Sequence, residues 1–180
     1  MVYLYLLTGG TLISFAHFYL VWRNRGNIQD TLSENAVTDS KAHLIYFVTH
    51  LVTDIFFLLY SYQFFIVDHN LALPFIINIV FVVLDLVQGI LPSRGKTKKI
   101  HITSAYISWI CFLLSGIIVL FTLSIVEPYR LFAIVLLILL VCMFLYMHKM
   151  NTSQGKVYPY QLIAVPLYVI YMLMITIGAS

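Results

Sequence analysis

Charge is what this chain has least of. Of 180 residues, 7 are Asp or Glu and 10 are Lys or Arg, 9% together, where a soluble domain carries about 25%. So few charges cannot cover a surface that faces water, which excludes an ordinary soluble domain. Cysteine is scarce too. Cys111 and Cys142 sit inside apolar runs with no disulfide or metal spacing, and read as small apolar residues. The net charge of +3 is no nucleic-acid signature, because the basic residues are spread over helix ends rather than gathered in one patch. His-Glu-x-x-His, a Gly-rich phosphate loop and a Gly-x-Ser-x-Gly elbow are all absent, which removes the commonest hydrolase and nucleotide-binding signatures.

Apolar sequence takes their place: 62% of residues are hydrophobic and mean hydropathy is +0.97. A membrane-spanning helix needs about 20 mostly apolar residues. Six segments meet that requirement: 2–22, 42–67, 71–91, 100–126, 129–147 and 158–178. The expected fold is therefore all-α, a polytopic membrane protein built as a bundle of six transmembrane helices in a single domain. Pro and Gly mark several breaks, at Pro92-Ser93-Arg94-Gly95 and Glu127-Pro128, because neither residue sustains a helix. The longest polar stretch, 23–41, reads as a solvated connector, with a short interfacial helix using Ile28 and Leu32 as the alternative.

Basic residues assign an orientation. Arg23, Arg25 and Lys41 lie in the first loop, Arg94, Lys96, Lys98 and Lys99 in the third, and Lys149 and Lys156 in the fifth; the other loops and the termini hold only Arg130. Since positive loops stay cytoplasmic, both termini are expected outside, in a plasma or inner membrane. The charge order around the first span suits a reverse anchor rather than a cleaved leader. Lys41-Ala-His43, Lys99-Ile-His101 and Lys156-Val-Tyr158 each open an even-numbered span, at offsets of 58 and 57 residues. Ancestral triplication of a hairpin would give this pattern, and so would lysines that snorkel to headgroups at one end of each hairpin.

An ionisable side chain within a span is costly and therefore a functional candidate. On the second span, His43, His50, Asp54 and Ser61 fall within about 20° of one line at 100° per residue. His50 and Asp54 are i, i+4 neighbours and are expected to pair. On the third span Asn78 and Asp85 repeat at seven residues, with Gln88 one turn on; on the fourth, His101, Ser108 and Ser115 do the same. With His17 of the first span, these residues predict a polar pocket in the cytoplasmic half. The site residues proposed for a ligand or proton are His50, Asp54, Asp85, Gln88 and His101. Asn78, Ser108 and Ser115 are expected as hydrogen-bond partners between helices.

Asp39-Ser-Lys41-Ala-His43 and Asp85-Leu-Val-Gln88-Gly-Ile-Leu-Pro92-Ser-Arg94 resemble two motifs of the VanZ-like (teicoplanin-resistance) membrane protein family, with Asp85 where Glu is usual. The turn Gly89-Ile-Leu-Pro92 followed by His101 resembles six-helix relatives of the autophagy-modulator membrane proteins. Both resemblances imply a helical membrane protein without a defined chemistry.

Three functions remain open at this stage. The first is a pocket that binds or transports a lipid-like or small solute with linked proton movement, membrane lipid being the natural partner. The second is a haem- or zinc-binding membrane enzyme or electron carrier with His43, His50 and His101 as ligands. The third is a structural subunit or assembly factor for another membrane protein. No cofactor is assigned.

Overall fold

The computed structural model describes residues 2–24, 31–36, 38–91, 93, 95–152 and 157–179, and the side chains of all of these except 151 and 152. Arg25, Ile28, Asp30, Pro92, Arg94 and Lys156 lie outside the described residues. Among the described residues every regular element is helical: α1 (Val2–Arg23), α2 (Leu32–Ala36), α3 (Ser40–Ser61, continuing as a π-helix over Tyr62–Asp68), α4 (Ala72–Ile90), α5 (Lys98–Thr122, entered from a 3-10 turn at Gly95–Thr97), α6 (Tyr129–Thr152) and α7 (Tyr158–Gly178). All but α2 are long and apolar enough to cross a membrane, six spans in total. The chain thus has the architecture of a multi-pass helical membrane protein.

Local chemistry accounts for the ends. Asp39 caps α3 by accepting from the Ala42 amide at 2.8 Å and pairs with the Arg23 guanidinium at 2.8 Å. The amide bond first, and the guanidinium with it, hold the Asp39 carboxyl below the usual carboxylate range. The same pair ties the end of α1 to the start of α3. Between α3 and α4 the chain reverses at Asn70, with φ of 53°, a left-handed conformation that Asn tolerates. Leu91 closes α4 in extended geometry, as a residue preceding proline does.

Several boundaries differ from the sequence expectation; α6, expected to end at 147, runs on to Thr152. The fourth span stops at Thr122 rather than at 126. Pro128 has no amide to carry a helix onward; the chain leaves α5 early, buries Ile125 and bonds the Val126 amide to the Gly178 carbonyl at 2.9 Å. The stretch expected as a solvated connector folds in part into α2, whose Leu32, Asn35 and Ala36 are buried. Its start is a reciprocal capping box: the Thr31 amide donates to Glu34 Oε2 at 3.2 Å and the Glu34 amide to Thr31 Oγ1 at 3.1 Å. Leu32 and Ala36, one turn apart, share the face that enters the bundle.

The spans alternate in direction, so the ends that carry Arg23, Lys41, Lys98 and Lys149 gather at one end of the bundle, here the basic end. α1 packs against α3 and α7, α3 against α4, α4 against α5, and α6 against α7 and α5. Gly9 and Gly10 of α1 make the close approaches. A Cβ on Gly9 would stand 3.2 Å from Phe56 Cβ of α3, and one on Gly10 would collide with Val169 of α7. Small residues are what let helix backbones come together where lipid and side chain are equally apolar. The half away from the basic end holds the continuous core, including Tyr60, Phe64, Phe65, Val119, Tyr171 and Ile175. The basic half has only small satellites, one of them Leu20, Ala36, Ala42 and Tyr46 beneath α2.

Candidate functional site

The basic half of the bundle is hollow where the far half is packed. A half-open cavity of about 160 Å³ lies between α1, α3, α4, α5 and α7, with Leu32 and Ser33 of α2 at its basic end. Among the described side chains, none of α6 lines it. Towards the basic end the lining is polar: His17, His50, Asp85, Gln88, His101 and Gln161. Deeper, it becomes aromatic, with Tyr5, Phe57, Phe81, Phe112 and Tyr168. Asp54 stands where the two linings meet, next to Thr53.

All five proposed site residues, His50, Asp54, Asp85, Gln88 and His101, line this one cavity, from three different helices. Their pairing differs from the expectation. His50 does not bond Asp54; its Nδ1 donates to Asp85 Oδ2 of α4 at 2.5 Å. Helical side chains lean towards the N-terminus of their own helix. The His50 ring therefore tilts back onto Tyr46, with ring centroids 4.1 Å apart, and away from Asp54 one turn further on. Its Nε2 lies 3.3 Å from Nε2 of His17. One of these two nitrogens must carry the proton between them, so Asp85, His50 and His17 form a chain along which a proton can be held at either imidazole.

Gln88 is occupied differently: its amide donates to Ser108 Oγ at 2.9 Å, and that hydroxyl donates to the Ala105 carbonyl at 3.0 Å. Asp54 is 3% exposed, and its Oδ2 has no hydrogen-bond partner. Asn78 Oδ1 and the Tyr168 hydroxyl are the other buried side-chain atoms without one among the described residues. A carboxylate oxygen in that condition is the costliest of the three to leave unpaired.

The three histidines considered as metal ligands are engaged separately. His43 Nε2 donates to the Gly89 carbonyl at 3.1 Å, and His101 Nδ1 donates to the Leu91 carbonyl at 2.8 Å. Both carbonyls belong to the end of α4, where four backbone acceptors lose their helical donors. The repeated Lys-x-His at the starts of α3 and α5 thus supplies one capping imidazole from each side of α4. Among the described residues no group of three His, Cys, Asp or Glu side chains stands close enough to hold a metal ion. Of the expected interhelical partners, Asn78 donates to Ser61 Oγ at 3.0 Å, Ser108 receives Gln88, and Ser115 reaches the Pro74 carbonyl at 3.5 Å.

Sequence reasoning placed the pocket among the first four spans and did not include its α7 wall, its α2 cover or Tyr46. α2 had a readable signal in Thr31-Leu-Ser-Glu34, the spacing of a capping box. Gln161 had one as well, a long polar side chain in the first turn of an apolar span. It accepts the Leu32 amide at 2.9 Å and so joins α7 to α2. A second ion pair, Lys98 to Glu34 at 3.1 Å, fastens α2 to α5. Compared with known protein families, with curated proteins and with solved structures, the chain has no match in any of the three.

Proposed function

We propose that this multi-pass membrane protein binds, and in doing so can move, a small amphiphilic or lipid-like molecule in the central cavity. Occupancy is linked to the proton held by the Asp85–His50–His17 chain. In this reading both termini face outward, and the polar end of the cavity faces the cytoplasm from a plasma or inner membrane, as the basic loops indicate.

The observation that carries the reading is the convergence of His50, Asp54, Asp85, Gln88 and His101 on one cavity. In a bundle dissolved in lipid, apolar side chains would fill this space at lower cost, since each ionisable group costs a few kcal/mol or more to hold within a span. The graded lining, polar at one end and aromatic at the other, suits a molecule with a head and a tail.

The test is native mass spectrometry of detergent-purified protein, wild type beside Asp54→Asn, with helix content and melting recorded for both. The expected result is a small-molecule adduct on the wild type that is lost from a variant equally well folded. An adduct retained at full occupancy by the variant overturns the reading. A haem absorbance band or stoichiometric zinc in the same sample would replace it with metal chemistry at the histidines.

A further inference from the structure

We infer that the molecule this cavity selects is a cationic amphiphile, with an ammonium head that pairs with Asp54 and an apolar tail that lies among the aromatic rings. This rests on the binding reading above and adds the chemistry of the head.

The charge distribution points to it first. Among the described residues the cavity wall contains two carboxylates, Asp54 and Asp85, and no Lys or Arg. Lys98 lines an adjoining cavity of about 90 Å³, which shares His101 and Trp109 with the first, and is paired there with Glu34. A phosphate or carboxylate head would enter a chamber whose described walls hold two acids and no Lys or Arg, whereas an ammonium head meets the opposite sign.

The second observation separates the two acids. Asp85 already accepts from His50. Asp54 lines the cavity, and its Oδ2, itself shut off from solvent, accepts from nothing. An ionised carboxylate only accepts hydrogen bonds, so what the ionised Asp54 lacks at this oxygen is a donor. An ammonium group brings three donors and a compensating charge at once.

The third observation is position. One turn beyond Asp54 on α3 is Phe57, and Phe81, Phe112 and Tyr168 continue the wall from α4, α5 and α7. A head at Asp54 therefore sends its tail into the aromatic part of the chamber, where ring faces also favour a nearby cation. The other ionisable groups facing the same space are His17 from α1, His50 from α3, Asp85 from α4 and His101 from α5, with the phenols of Tyr5, Tyr46 and Tyr168.

The experiment compares three probes with one tail and different heads: phenylbutylamine, phenylbutanol and phenylbutyrate. Each is titrated into the full chain in lipid nanodiscs at neutral pH, with Trp109 of the cavity wall as the fluorescent reporter and a Trp22→Phe background to remove the exposed indole. The amine is expected to bind about tenfold or more tighter than the alcohol, a step of about 1.4 kcal/mol, and the acid weakest of all. Asp54→Asn, checked for unchanged helix content and melting, is expected to erase the preference of the amine over the alcohol. An alcohol or acid that binds as well as the amine on the wild type overturns the inference and leaves the cavity reading standing. Failure of all three probes to move Trp109 counts against the cavity reading itself. The order of the three heads on the wild type needs no variant, so a poorly folding Asp54→Asn does not remove the test.

Discussion

The two halves of this bundle use polar side chains in opposite ways. In the half away from the basic end, Thr176 donates to the Met172 carbonyl at 2.7 Å and receives Tyr60 at 2.8 Å. Tyr171 donates to the Gly116 carbonyl at 2.6 Å, and Asn78 to Ser61. These bonds lie in and around a continuous aromatic and aliphatic core, where Asn78 Oδ1 is left without a partner among the described residues. In the basic half the polar groups surround open space, and one of them, Asp54, leaves an oxygen without a partner. Polar groups of the first kind hold helices in register. Those of the second kind leave capacity for something the chain itself does not supply.

The largest effect that would test this contrast comes from the packed half. Tyr60, fully buried, is expected to cost about 3–5 kcal/mol on replacement by Ala, read as a lower unfolding free energy with the order of the three head groups unchanged. In the hollow half, His50→Leu alone leaves the half-buried Asp85 without its partner, and a loss of about 3–5 kcal/mol at most is expected. The double variant His50→Leu, Asp85→Leu should recover that loss and unfold at or above the wild-type midpoint, because an apolar pair of similar volume replaces a hydrogen-bonded polar pair at no net cost. It should also lose the ligand. A double variant less stable than the single one would show that the pair serves the fold. The smallest effect is expected from Asn78→Ala, about 0.6 kcal/mol, the average for a hydrogen bond between membrane helices; a loss several times larger would make the far-half bonds more than register marks.

Much of the site could be read directly from residue spacing. His50 and Asp54 stand on one line of α3 because seven- and eleven-residue intervals return to the same helical face, and all five proposed residues do meet at one cavity. The choice of Asp85 over Asp54 as the partner of His50 could not be read that way. It depends on the N-terminal lean of the imidazole, on the Tyr46 ring that receives it and on the height at which α4 passes α3. The histidines of the Lys-x-His repeat looked like metal ligands for a related reason: their spacing shows that they share a face, not that the end of α4 offers them carbonyls.

By itself the sequence determined the helical class, the six spans and the end of the bundle that holds the polar groups. These follow from hydropathy and from the period of the helix, properties of a short stretch of chain that do not depend on its neighbours. Only the tertiary structure decided that α7 closes the ring against α1 while α6 stays outside it. Both are long apolar helices, and in a membrane an apolar face gains no more from protein than from lipid. Glycines at the crossings and the fit of one side chain against another, Gly10 against Val169 and Gly116 against Tyr171, settle which helix encloses the cavity.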